Sequence, residues 1–199
     1  MTIWGGFVGG AAMLNMHRLV AGARAEERAA RLPGDDLVPA ADVVMDRGFD
    51  LPAPPVAVWP WFAQLGKGRA GWYLPRWLEC GLPSGRRALW RIEESLQHLE
   101  VGDVIADWGG RDATFEIVVH DAPSALVHRS TRGRLRISWA IVLRPAQSGT
   151  TRVHLRFKVS GVRHRRLVEI GGGLVDLCTV AGLAEGLRER LTEDGWPPR

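Results

Sequence analysis

Residues 151–160 read TRVHLRFKVS, and this strict alternation constrains the fold more than any other feature of the chain. Val153, Leu155, Phe157 and Val159 fall on one side of a strand, and Arg152, His154, Arg156 and Lys158 on the other. Such a strand needs an apolar layer against one face only. Leu135, Ile137, Trp139, Ile141 and Leu143 alternate in the same way just before it. Gly109-Gly110, Ala122-Pro123, Arg132-Gly133 and Ser148-Gly149 punctuate the region from Val101 onward as turns. Together they predict antiparallel strands over 103–108, 114–120, 125–130, 135–144 and 151–160.

A stripe at helical spacing follows: Leu167, Ile170, Leu174, Leu177, Ala181, Ala184 and Leu191. It predicts a closing helix over 167–191. Only Glu169 and Asp176 carry charge between Leu167 and Ala184, so more than one helix face should be covered. Gly171-Gly172-Gly173 is unfavourable inside a helix by about 1 kcal/mol per glycine. Either the helix starts after it, or the backbone there approaches something closely.

Upstream, Val43 to Leu51 reads as a first strand, and a helix runs from Pro55 to Leu65 with Val58, Trp61, Phe62 and Leu65 on one face. A polar helical stretch over 21–31 stops at Leu32-Pro33-Gly34, and a short helical piece lies near 76–80. A long helix filling a curved antiparallel sheet is an α+β arrangement that leaves a cleft between the two. Residues 1–31 read as an N-terminal arm and helix, 32–191 as one domain and 192–199 as a tail.

Composition excludes several classes. At 199 residues, with 46% hydrophobic and 24% charged, the chain suits one ordinary globular domain. A net charge of +4 is too small and too dispersed to imply nucleic acid. The basic ladder of residues 152–158, with Arg132, Arg134 and Arg136 before it, lacks the interleaved aromatics of a single-strand binder and reads as a solvated outer face, with His154 exposed on it. Two cysteines give no disulfide framework or metal-ligand spacing, which fits a reducing cytoplasm and no metal or cofactor. Nine Trp against one Tyr suggests large apolar walls. Met1 to Met16 has no charged side chain, but it is short and broken by Gly5, Gly6, Gly9 and Gly10. It reads as an arm packed on the domain, with membrane or homodimer contact as alternatives.

Several runs resemble the START-like helix-grip superfamily, also called SRPBCC, of polyketide cyclase and lipid-transport proteins. They are Leu32-Pro33-Gly34-Asp35-Asp36-Leu37, Ala53-Pro54-Pro55 with Val58-Trp59-Pro60-Trp61, and Gln64-Leu65-Gly66-Lys67-Gly68-Arg69-Ala70-Gly71-Trp72-Tyr73. Trp77-Leu78-Glu79, Leu96-Gln97, Val101-Gly102-Asp103 and Ser138-Trp139-Ala140 extend the match, which covers roughly 23–191 and is most specific, to a bacterial branch, over 64–73. The resemblance implies a helix-grip fold whose cavity takes a hydrophobic or amphipathic small molecule. Cys80, Glu94-Ser95 and Val180-Ala181-Gly182 depart from the pattern. The last suggests a covered outer helix face, through the arm or a second subunit.

The candidate ligand-binding residues are Gln64, Arg69, Trp72, Tyr73, Trp77 and Glu79 in the Gly-flanked segment, with Trp90, Trp108, Phe115 and Trp139 as cavity walls. The competing reading makes Arg69 and Glu79 a structural ion pair and the aromatics plain core. A cyclase or dehydratase of this fold would need a general base and acid in the cavity. His98, His120 and His128, with Asp103 and Asp107, are the residues from which such a pair would come. The expectation is binding, or transport, of a hydrophobic small molecule. The alternatives are an aromatase/cyclase or dehydratase acting on a polyketide-like substrate, and a protein-interaction or dimerisation module.

Overall fold

A computed structural model describes residues 22–193; the apolar arm over 1–16 and most of the 192–199 tail lie outside the described residues. A short helix α1 (Ala25–Ala29) precedes strand β1 (Val43–Leu51), helix α2 (Pro55–Gln64) and a single-turn helix α3 (Arg76–Glu79). Strands β2 (Val104–Ala106), β3 (Thr114–Asp121), β4 (Ala125–Arg132), β5 (Leu135–Pro145) and β6 (Thr151–Ser160) follow. Helix α4 (Arg165–Glu193) closes the chain. The six strands form one antiparallel sheet in the order β1-β6-β5-β4-β3-β2, so β1 leaves its neighbours in sequence to pair with β6.

The predicted strand phase holds. Val153, Leu155 and Val159 of β6 and Ile137, Ile141 and Leu143 of β5 are buried on the inner face, where the register sets Trp139 beside Phe157. Phe49 and Leu51 of β1 join them. Val180, Ala181, Leu183, Ala184, Leu187 and Leu191 of α4 fill the concavity. Burying a side chain of Leu or Val size contributes about 1.5–3 kcal/mol, so this layer is a large contribution to the fold's stability.

The outer face is not solvated, and this corrects the sequence expectation. Arg152, His154, Arg156 and Lys158 are all buried, His154 at 1% exposure. Residues 23–39 lie over them with matching acids and carbonyls. Glu27 of α1 takes two hydrogen bonds from Arg152, at 2.7 and 2.9 Å. Arg156 donates to Asp46, Asp35 and the carbonyls of Glu27, Arg28 and Ala30. Lys158 donates to the Asp35 carbonyl, and the His154 imidazole sits 2.7 Å from Asp46. Gly48 on β1 makes room: a Cβ there would collide with the Arg152 guanidinium. Leu32 closes against Ala125 and Val142 beside this network. Alternation predicts which way a side chain points, but what lies on top of it comes from residues far away in sequence.

The hydrogen bonds from Arg152 hold the Glu27 carboxyl at a pKa of about 2, below its ordinary 4.5. A carboxylate depressed on folding stabilises the fold above its unfolded pKa, and that contribution is lost as pH falls through the folded one. The fold should therefore lose on the order of 3 kcal/mol between roughly pH 4.5 and pH 2 from this group. Urea titrations of the wild type and of Glu27→Gln over that range check this. The variant should be less stable near neutrality and should lack this part of the acid slope.

Helix α4 differs from expectation at both ends of its first half. It starts at Arg165, ahead of the three glycines, and runs through them as a π-type turn over Val168–Gly172. Gly171 and Gly173 face open space, and only Gly172 has a near neighbour, the Met45 side chain. The extra residue of a π turn accommodates the glycines without a close approach to neighbouring backbone. The expectation that more than one face is covered along 167–184 fails for the first half, where Leu167, Ile170, Leu174 and Val175 are exposed. Further along, Val180, Ala181 and Gly182 are buried, and the Leu74 side chain packs on Gly182. A Cβ on Gly186 would lie 2.7 Å from the Leu74 backbone, so the loop before α3 seats on a glycine notch of the helix.

Candidate functional site

A cleft of about 320 Å³ lies between the inner sheet face and the middle of α4. Its walls come from five elements. Trp139 and Phe157 project from paired positions on β5 and β6, Phe115 from β3, Trp108 from the end of β2, and Val180 from α4. Trp72 closes it from the loop between α2 and α3. That loop is a compact turn in which Gly66 and Gly71 bridge, and Lys67 pairs with Ala106 of β2. The Trp72 indole N–H donates to the Thr179 carbonyl at 3.1 Å, tying the loop to α4.

The aromatic rings form a connected cluster. Trp72 stacks on Trp139 with ring centres 6.0 Å apart and meets Trp108 edge-on at 5.8 Å. Phe115 leans on Trp139 at 6.2 Å. Trp108 is half exposed and stands at the open side. Flat, polarizable walls of this kind favour aromatic or other planar apolar guests through offset stacking and edge contacts.

Polar groups enter at three points of the wall. Asp107 accepts a hydrogen bond from Arg132, whose guanidinium also lies over the Phe115 ring at 5.2 Å. Thr179 lines the helix side. Asp176 of α4 is the third: Arg47 Nε lies 2.9 Å from its Oδ2, yet the two are not aligned as donor and acceptor, and that oxygen is buried without a hydrogen bond. Burial raises the Asp176 pKa against the pull of Arg47. A ligand hydroxyl or amine could therefore donate to this carboxylate.

Four of the ten candidate residues meet in the cleft: Trp72, Trp108, Phe115 and Trp139. The other six do not line it. Gln64 and Tyr73 are fully buried behind it, where Gln64 donates to the Tyr73 hydroxyl and that hydroxyl donates to the Trp61 carbonyl. Burial pushes the Tyr73 phenol well above its ordinary pKa, so it stays protonated. Arg69 donates to the carbonyls of Ala63 and Leu96, holding the loop to α2 instead of reaching for an anion. Glu79 pairs with Arg190 of α4 at 2.7 Å, not with Arg69, and accepts the Trp90 indole N–H at 2.7 Å. Trp77 is 63% exposed on the surface of α3. Polar tips on a Gly-rich loop read as a cavity mouth, but most of them satisfy the backbone of an irregular segment that has no sheet or helix partners of its own.

Sequence reading missed Asp176, Thr179, Arg132 and Phe157. Arg132 is expected on the outer basic surface, but it continues the inner phase of Leu126, His128 and Ser130 on β4 and lines the cleft. Phe157 belongs to the apolar side of β6 and was accessible from the alternation. Asp176, an acid in an otherwise apolar helical stripe, carried a visible signal as well.

None of the histidines considered for catalysis lines the cleft. His98 is exposed, and His120 packs edge-on against Trp59 at 5.2 Å. His128 lies behind Trp139, stacked on it at 4.9 Å, and burial lowers its pKa to about 4, so it is neutral at pH 7. Asp107 is in the wall, but its partner is Arg132. Among the described residues, no group of three or more His, Cys, Asp or Glu side chains could hold a metal ion.

A six-stranded antiparallel sheet gripping one long C-terminal helix, with a cleft between them, decides the architecture. The fold is a helix-grip. No protein-family model and no curated protein matches the chain. Solved structures do. Protein MLL2253 from Mesorhizobium loti is 21% identical, with 76% of this chain and 98% of that one covered and a TM-score of 0.46. CalU16 from Micromonospora echinospora is 16% identical, covering 76% and 82%, at a TM-score of 0.43. Protein Ms6760 from Mycobacterium smegmatis is 15% identical, covering 77% and 93%, at 0.45. Helix-grip architecture in this chain rests on its own strand order and helix placement.

Proposed function

We propose that this helix-grip protein binds a small, largely planar apolar molecule in the cleft between its sheet and α4. The observation that carries the reading is the aromatic cluster of Trp72, Trp108, Phe115 and Trp139 around about 320 Å³ of space, with few polar groups among them. Small-molecule sites typically span about 300–1,000 Å³ and combine apolar walls with a few oriented polar groups. The volume is at the low end of that range, which favours a one- or two-ring compound over a two-chain lipid. Asp176 Oδ2 supplies an acceptor for a hydroxyl or amine on such a ligand. Carriage is favoured over catalysis because Asp107 and Asp176 each face an arginine and no described histidine joins them.

The test begins with protein purified without denaturation, whose organic extract is examined by mass spectrometry. The same protein is then titrated with a panel of aromatic compounds, read by tryptophan fluorescence. A reproducible small aromatic in the extract, or saturable quenching by a panel member, supports the reading. Trp72→Ala and the more exposed Trp108→Ala should each weaken that binding by about 1 kcal/mol or more, roughly fivefold, as removal of aromatic anchors does. Unchanged affinity in both variants would move the binding site elsewhere. Turnover of a bound compound that disappears in Asp176→Asn would favour an enzyme instead.

A further inference from the structure

The first half of α4 is apolar on the outside of the molecule. Leu167, Ile170, Leu174 and Val175 are 70%, 76%, 58% and 63% exposed. All four lie in the first three turns of the helix, on either side of or within the π-type turn over Val168–Gly172. By length and composition, α4 is apolar enough to cross a membrane, with mean hydropathy 1.6 over its most apolar window, yet only 28% of that window is buried. A core helix of that hydropathy would be mostly covered. The second half of the same helix, through Leu183, Leu187 and Leu191, is locked in the core, so spanning is excluded and lying on a surface is not.

The charges beside these residues identify the surface. Arg163, His164, Arg165 and Arg166 are exposed at the start of α4, and exposed Arg134 is close by, because its carbonyl abuts Gly161. Arg165 pairs with Glu169 at 2.7 Å, while Arg134, Arg163 and Arg166 make no ion pair among the described residues. Cations at a helix N-terminus oppose the helix dipole, so helix stability does not account for them. An exposed apolar patch flanked by arginines is the pattern of a helix lying in a membrane interface, where the side chains enter the acyl boundary and the arginines meet anionic headgroups.

We propose that the Leu167–Val175 face of α4, with Arg134, Arg163 and Arg166, docks on an anionic lipid surface. Asp176, Thr179 and Val180, which line the cleft, follow on the same helix, and half-exposed Trp108 stands opposite. Docking brings the open side of the cleft close to the bilayer, where apolar compounds concentrate. Only this last link rests on the ligand-binding reading.

The test is sedimentation of the full chain with vesicles and no added ligand, so its result is independent of whether the cleft binds anything. Vesicles of phosphatidylcholine mixed with phosphatidylglycerol should bind the protein at least about tenfold more tightly than phosphatidylcholine alone. Ile170→Ser/Leu174→Ser and Arg163→Glu/Arg166→Glu should each reduce that binding by about tenfold or more, with unchanged circular dichroism, because all four residues are exposed. Four results overturn the proposal. They are no vesicle binding, equal binding to both lipid mixtures, binding that ignores both variants but disappears when residues 1–20 are removed, and a dimer that Ile170→Ser/Leu174→Ser dissociates without any lipid binding.

Discussion

Replacing Arg190 by methionine should cost about 3–5 kcal/mol of folding stability, the usual consequence of removing one partner of a buried ion pair. Arg190 is fully buried in α4. It donates to Glu79 at 2.7 Å, to the Leu89 carbonyl at 2.8 Å and to the Leu74 and Gly186 carbonyls at 3.1 and 2.9 Å. Its guanidinium also lies over the rings of Trp90 and Tyr73, at 4.0 and 4.7 Å. Without it, the Glu79 carboxylate stays buried with only the Trp90 indole and the Leu74 amide as donors. Lysine would not substitute, because a single ammonium cannot reach four acceptors set around a planar fork. Urea unfolding should show a lower midpoint at an unchanged slope. Arg190→Met/Glu79→Leu should recover part of the loss, since an apolar pair leaves no unpaired buried charge. A loss below about 1 kcal/mol in Arg190→Met would show that the pair is solvated in solution.

Arg156→Met should cost a similar amount, about 3–5 kcal/mol, while leaving the cleft intact. The Arg156 side chain points away from the cleft, bonds Asp46 of the neighbouring strand β1, and holds residues 23–39 to the back of the sheet through Asp35 and three backbone carbonyls. Its loss strands the Asp46 carboxylate, which His154 also approaches, and frees the segment that covers Arg152. Hydrogen exchange should therefore rise first over residues 23–39, ahead of β5 and β6. Ligand affinity measured below the unfolding transition should match the wild type. A drop in affinity larger than the drop in stability would mean that the two sheet faces are coupled.

The contrast between these two arginines shows how far sequence reading reaches. Arg156 was assigned its direction correctly, because a period of two dictates which face a strand residue occupies. It was assigned the wrong surroundings, because Glu27 and Asp35 lie more than a hundred residues away and no local pattern joins them to β6. Arg190 carried no signal at all. It reads as one more basic residue near a helix C-terminus, and only the approach of Glu79 and Trp90 makes it a buried hub.

The cleft divides in the same way. Trp139, Phe115 and Trp108 were legible as inner-face aromatics, and Trp72 as a candidate ligand-binding residue of a Gly-flanked segment. Gln64, Arg69, Tyr73 and Glu79 were legible as polar residues of that loop but not as its internal scaffold. A side chain that satisfies a buried carbonyl and one that awaits a ligand have the same chemistry, and only the partner within hydrogen-bond distance separates them.

The sequence by itself determined the strands, the phase of β5 and β6, the closing helix and the sheet-on-helix layering, because backbone periodicity and turn chemistry act over a few residues. Tertiary structure alone decided which polar groups are partnered, what covers the back of the sheet, and which half of α4 is core and which is exposed. Those outcomes depend on charges and surfaces brought together from opposite ends of the chain, and a hydrogen bond or ion pair exists only once both partners are in place.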